Sequence, residues 1–207
     1  MIDIEKDFLT PNPYSRPQIP MDYVQTIDVH WSAAMNATAK NLRDAFERQV
    51  ELKNNKALYH FSVDWDVALQ WAPTTEVAWS IGVLHPSHYF PWILEKWGSS
   101  PDLHSIAVLL CHRDNEYGIY DRPTLNNAVE LLTYLCQEHG LHPRTRILMH
   151  SQFTGKGLRG EDEDPDALPC PRYFVSNPPA WQHFVDEVEI RTAELEMERR
   201  NSRGTII

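Results

Sequence analysis

Three side chains in this 207-residue sequence have the chemistry of a metal centre. His30 closes the run IDVH, His150 closes ILMH, and Cys170 sits between prolines in LPCPRYF. Each histidine follows a short apolar run of strand length, where a strand would deliver a side chain to the edge of a sheet. Two imidazoles and a thiolate make a tetrahedral Zn²⁺ set that leaves a fourth position for water, the catalytic rather than the structural arrangement. Taken singly, each of the three is as readily a packed structural residue. Their separation in the chain leaves both readings open.

The elements around them must bring distant segments together. VQTIDVH (24–30) reads as a buried strand, and Ser32 as the cap of a helix running to about Val50 with Leu42, Phe46 and Val50 on one face. ALYHFSV (57–63) and DVALQWA (66–72) read as a hairpin with DWD near its turn. Residues 83–104 read as a loop with one short helix. SIAVLLC (105–111) is a continuous apolar run, as a central strand covered on both faces requires. TLNNAVELLTYLCQEHG (124–140) predicts a helix with Thr124 as N-cap, an apolar stripe of Leu125, Ala128, Val129, Leu132, Leu135 and Cys136, and Gly140 at its end. RILMH (146–150) is a further short strand. A last helix starts near NPPAW, docks through Trp181, Phe184 and Val188, and from Arg191 turns mostly charged and projects or frays. Strands and helices intermix, which predicts one α/β domain with a central mixed β-sheet flanked by helices.

Composition narrows the function classes. Hydrophobic residues are 42% and charged residues 23% of the chain, a globular balance rather than a disordered one. The formal net charge of −10 argues against a nucleic-acid partner, whose phosphates call for a basic face. Three cysteines, Cys111, Cys136 and Cys170, are too few and odd in number for a disulfide framework. No apolar run reaches membrane-spanning length, so no membrane partner is expected. Residues 1–25 contain four prolines and read as an extended N-terminal arm; they lack the basic-then-apolar pattern of a signal peptide. Asp162, Asp164 and Asp166 have the opening spacing of a calcium loop, but Ala167 and Tyr173 stand where its glycine and bidentate glutamate belong. That loop therefore reads as a solvated acidic segment.

From NPYSRP (12–17) to NPPAWQHF (177–184) the chain resembles the zinc-dependent N-acetylmuramoyl-L-alanine amidases of type 2, which share a fold with peptidoglycan recognition proteins and T7-type phage lysozyme. The carriers are IDVHW (27–31), LYHFSVDWDVALQWAPTTEVAWSIG (58–82), SIAVLLCH (105–112), TLNNAVELLTYLCQEHGLHP (124–143) and ILMHSQFTGK with PCPRYF (147–174), in that order. The resemblance implies an amidase-like domain over 26–190, between the arm of 1–25 and a charged helical tail of 191–207. It puts the zinc ligands on His30, His150 and Cys170. It puts on Tyr59 a phenol that donates to the oxyanion at the lactyl amide carbonyl; His60, next along the strand, faces the opposite side by the two-residue period and reads as structural. The implied substrate is peptidoglycan or a muropeptide, cut between N-acetylmuramic acid and L-alanine.

Two departures bear on mechanism. Many relatives carry a glutamate general base on the central strand, where this chain has the apolar Leu109. The TGK motif survives at 154–156, but thirteen residues separate Lys156 from Cys170, where close relatives have almost none. Lys156 is the one nearby candidate for moving a proton. Relatives often have histidine at the position of Ser80, beside Trp79, which is placed to wall a groove. His85, His88, His104 and His112 read mostly as surface residues. The rival reading is a module of the same fold that binds muropeptide without cutting it. Without a signal sequence, the protein is expected in the cytoplasm or released to the wall by a separate, holin-type route.

Overall fold

The structure is a computed structural model that describes residues 2–49, 58–81, 91–97, 100–113, 117–154 and 169–203. Its centre is a six-stranded mixed sheet: β1 (Ile4–Lys6), β2 (Thr26–Trp31), β3 (Phe61–Val63), β4 (Ala68–Gln70), β5 (Ser105–Leu110) and β6 (Ile147–Met149), in the order β1-β4-β3-β5-β2-β6. Every neighbouring pair is parallel except the β3–β4 hairpin. The α/β class and the central mixed sheet are therefore as the sequence predicts. Strand β1 lies within the N-terminal arm and lengthens the sheet at the β4 edge.

Alternation along the strands divides the domain into two cores. Ile27, Val29 and Trp31 of β2, with Ile106, Val108 and Leu110 of β5, face helix α3 (Arg122–His139) and helix α7 (Pro178–Arg203). An aromatic ladder seals this side, with Phe174 stacked on Phe184 at 5.1 Å and Trp181 edge-on to Phe174. The opposite face carries Ala107 and Leu109 and is covered by α1 (Ala39–Gln49) through Leu42. Asp28 and His30 share the parity of Ala107 and Leu109, so a polar pair lies in an apolar layer.

Several boundaries differ from expectation for local reasons. Ser32 does not start a helix: its N–H donates to Leu110 O and so continues the sheet, and Asn36 then turns at a positive φ. Helix α1 begins at Ala39, where Thr38 and Asn41 exchange backbone-to-side-chain hydrogen bonds in a reciprocal cap. The Asp64 carboxylate accepts from Ala39 N and also from Asp66 N and Val67 N, tying the helix start to the hairpin turn. In α3 the cap is Asp121, which accepts from Thr124 N at 2.9 Å, and Thr124 is a buried first-turn residue. Gly140 ends α3 in the left-handed region, as its position suggested. Helix α7 runs unbroken to Arg203, with ion pairs such as Arg200–Glu196 along its charged portion. The short helices are α2 (Pro91–Trp97), α4 (Pro143–Arg146), α5 (His150–Thr154) and α6 (Arg172–Ser176).

Candidate metal centre

His30 is the penultimate residue of β2, and His150 opens α5 directly after β6, the strand paired with β2. Cys170 reaches them from a segment 140 residues beyond His30 in sequence. It is fixed there by Ser151, the residue after His150, whose N–H donates to Cys170 O at 2.9 Å. Ligand atoms of the three side chains all lie within 4.8 Å of one another. Cys170 Sγ stands 3.6 Å from His30 Nδ1, and the two imidazole centroids are 4.6 Å apart. This cluster could hold a metal ion.

The outer nitrogen of each imidazole is anchored. His30 Nε2 bonds to the Asp28 carboxylate, which shares its strand face two residues earlier. His150 Nε2 donates to the carbonyl of Ile81 at 3.1 Å. Both rings are thereby turned with Nδ1 inward, as outer-shell acceptors orient metal-binding histidines. Asp28 accepts further bonds from Ser80 Oγ at 2.7 Å and Ser105 Oγ at 2.6 Å, and the Ser105 hydroxyl in turn accepts from Thr26.

The charges follow from this packing. Burial alone would raise the Asp28 pKa, but the His30 charge and the bonds from His30, Ser105 and Ser80 outweigh it and hold the carboxyl down at about 2. Burial likewise opposes a thiolate at Cys170, yet the His30 charge and hydrogen bonds from His150 and His30 bring it down to about 6. For His30, burial favours the neutral ring, and the Cys170 and Asp28 anions overturn that preference. Two buried anions thus flank one imidazole, and the arrangement calls for a cation between Nδ1 and Sγ, whether proton or metal.

Tyr59 precedes β3 and packs edge-on to His30 with centroids 5.0 Å apart, backed by Phe46 and Trp71. Burial, and then the Cys170 and Asp28 charges, push its pKa upward, so the phenol keeps its proton and remains a donor. Leu109 is in register beside His30, 3% exposed, in the layer that includes Leu69 and Trp71; β5 supplies no carboxylate here. His60 has both ring nitrogens committed to backbone: Nδ1 accepts from Ala107 N and Nε2 donates to Glu76 O. His112 is not a surface residue. It is 1% exposed, stacked on Trp31, with Nε2 donating to Ser32 O. His104 is partly buried and stacks on Tyr23. Lys156, the acidic 157–168 segment, His85 and His88 lie outside the described residues. Trp79 is half-buried.

Sequence reasoning missed Asp28 and the partner it finds in Ser80. The signal was present: an aspartate two residues before a candidate ligand, inside a strand buried on both faces, must share the ligand's side.

The chain is similar to known proteins in sequence and in fold. Residues 20–167 match the family model described as N-acetylmuramoyl-L-alanine amidase, a span that contains His30 and His150 and stops short of Cys170. The N-acetylmuramoyl-L-alanine amidase CwlL of Bacillus licheniformis is 29% identical over all of this chain and 54% of its own length. CwlH of Bacillus subtilis, also named an N-acetylmuramoyl-L-alanine amidase, is 26% identical over 91% of this chain and 62% of its own. The chain thus spans little more than half the length of these curated relatives. Among solved structures, PlyL superposes with a TM-score of 0.66 at 22% identity, covering 91% of this chain and 98% of that one. A mutant endolysin from Bacillus subtilis gives 0.65 at 21% identity, covering 91% and 99%; both likenesses show the fold. No helix among the described residues is long and apolar enough to cross a membrane. With the family model matched over most of its length, this chain belongs to the N-acetylmuramoyl-L-alanine amidase family.

Proposed function

We propose that this chain is a zinc-dependent peptidoglycan hydrolase that cuts the amide between N-acetylmuramic acid and the L-alanine of the stem peptide. The observation that carries the reading is the convergence of His30, His150 and Cys170, each imidazole held from behind. The donor set suits zinc. A tetrahedral Zn²⁺ with ordinary bond lengths sets a nitrogen and a sulfur ligand about 3.5 Å apart, and His30 Nδ1 and Cys170 Sγ are 3.6 Å apart. When bound, zinc supplies Lewis-acid polarisation of the amide carbonyl and hydroxide near neutral pH.

The chain's own residues do the rest. Asp28 and the Ile81 carbonyl hold the two rings in the tautomer that presents Nδ1. Cys170 enters as a thiolate, lowering the charge of the site. The Tyr59 phenol, protonated and beside His30, donates to the oxygen that gains charge as the amide carbon becomes tetrahedral. Leu109 moves no proton, so the leaving amine takes its proton from elsewhere, with Lys156 as the candidate carrier. The substrate is peptidoglycan or a soluble muropeptide, reached in the manner of an endolysin released to the wall.

The test is release of free stem peptide from purified muropeptide, with and without a chelator, by natural protein and Cys170→Ser. Chelator-sensitive release that falls with the zinc content of the variant supports the reading. A zinc-loaded natural protein that binds muropeptide and releases nothing would assign the chain to the recognition-module alternative, which the apolar Leu109 favours.

A further inference from the structure

Asp102 is a buried carboxyl with no role in the chemistry above. It lies in the 3-10 turn Pro101–His104 at the entry to β5, is 1% exposed, and accepts from the backbone N–H of Ile81 at 3.0 Å. A carboxyl taken out of water costs stability unless its hydrogen bonds are arranged for it. Here one carboxyl oxygen takes the Ile81 amide, which pins the peptide plane joining Ser80 to Ile81 in that dipeptide.

That dipeptide is the element that aims both imidazoles. The Ser80 hydroxyl donates to Asp28 Oδ2 at 2.7 Å, and Asp28 holds His30 Nε2. One residue on, the Ile81 carbonyl accepts from His150 Nε2 at 3.1 Å. One outer-shell support of each imidazole therefore comes from this single stretch of chain. The Ile81 side chain packs with Ile93, Leu148 and Phe153, and Asp102 adds a directional bond to the Ile81 amide.

We propose that Asp102 is a positioning residue for the metal centre, holding Ser80 and Ile81 so that their hydroxyl and carbonyl fix the orientation of His30 and His150. This rests on the zinc reading for its effect on metal binding, but not for its effect on ring orientation.

The experiment measures the zinc dissociation constant by chelator competition for natural protein, Asp102→Ala and Asp102→Asn, each first checked for native far-UV circular dichroism. In parallel, nitrogen-15 spectra of the histidine rings of the zinc-free proteins report which nitrogen carries the proton. Asp102→Ala should weaken zinc by about 10- to 100-fold, the range for loss of outer-shell support, and should broaden or shift the His150 Nε2–H signal. Asp102→Asn keeps the shape but offers the Ile81 amide a neutral acceptor in place of a carboxyl, so it should weaken zinc by a smaller factor. Folded Asp102→Ala with natural zinc affinity and unchanged ring signals would overturn the proposal, because a merely stabilising carboxyl lowers the melting temperature and moves neither. If Asp102→Ala does not fold, natural affinity and ring signals in Asp102→Asn overturn it instead. Natural protein that takes up no zinc would overturn the metal reading, and the ring signals would then decide on Asp102 alone.

Discussion

Asp28 and His30 stand on one face of β2, and the carboxylate of the first bonds Nε2 of the second. Because Ser80 and Ser105 hold that carboxylate from two other segments, its position is set independently of the histidine. Asp28→Asn should therefore lower zinc affinity by roughly 10- to 100-fold while the fold persists. An amide in that place can present its NH₂ to Nε2 and favour the wrong tautomer. Chelator competition checks this, and natural affinity in the variant would make Asp28 a buried structural acid.

Tyr59→Phe removes one hydroxyl and leaves the aromatic packing on Phe46 and Trp71 in place. Turnover should fall roughly 10²-fold, with KM and zinc content unchanged, as for loss of one oxyanion donor. Steady-state kinetics on muropeptide beside metal analysis separates this from a folding defect. Natural turnover would make Tyr59 a packing residue.

Leu109 invites the opposite experiment, restoring an acid. The position is in register beside His30 and buried in the α1-facing layer. A carboxylate there would be desolvated near the Cys170 thiolate. Leu109→Glu should cost on the order of 3 kcal/mol of stability and leave turnover no higher than that of the natural protein. A gain near the 10²–10⁴-fold typical of general acid–base catalysis would show that the natural chain lacks a base it needs.

His60 gives a pH dependence with a definite sign. Burial lowers its pKa below the ordinary 6.5; Glu76 and Asp28 pull the other way, and His139 reinforces burial. The Ala107 N–H donated to Nδ1 works with burial, since protonation would set one N–H against another. A base whose folded pKa is depressed contributes stability that is full above its unfolded value and is lost as pH falls through the folded one. Thermal midpoints should thus drop as pH falls below about 6.5, and His60→Asn should flatten that part of the profile. Parallel profiles for the two proteins would show that His60 does not titrate with unfolding.

The large pattern was legible in the sequence because it rests on periodicity. SIAVLLC could only be a covered strand, and the apolar stripe from Leu125 to Cys136 could only be one face of a helix. His30 and His150 stood out for the same reason, since the apolar runs before them showed, whereas Cys170 stood out only by its residue type between two prolines. What was not legible depends on partners distant in sequence. Ser32 has the side chain of a cap, but Leu110 claims its backbone for the sheet. Thr124 looks like a cap until Asp121 is seen accepting its N–H. His112 is polar and sits beside a loop, and only the stacking on Trp31 buries it. Asp28 lacked a visible role because Ser80 and Ser105, its other partners, belong to remote segments.

Strand β2 lies between β5 and β6, and His30 and Cys170 are 140 residues apart in sequence. Contacts this remote close late, after local helices and hairpins have formed. During synthesis, where amino-terminal parts order first, His30 emerges long before the segment that completes its site. The nascent chain therefore carries one lone imidazole until β6 docks beside β2 and Ser151 draws Cys170 into place. On the zinc reading, metal capture then reports a finished fold, because no half-made chain holds all three ligand side chains.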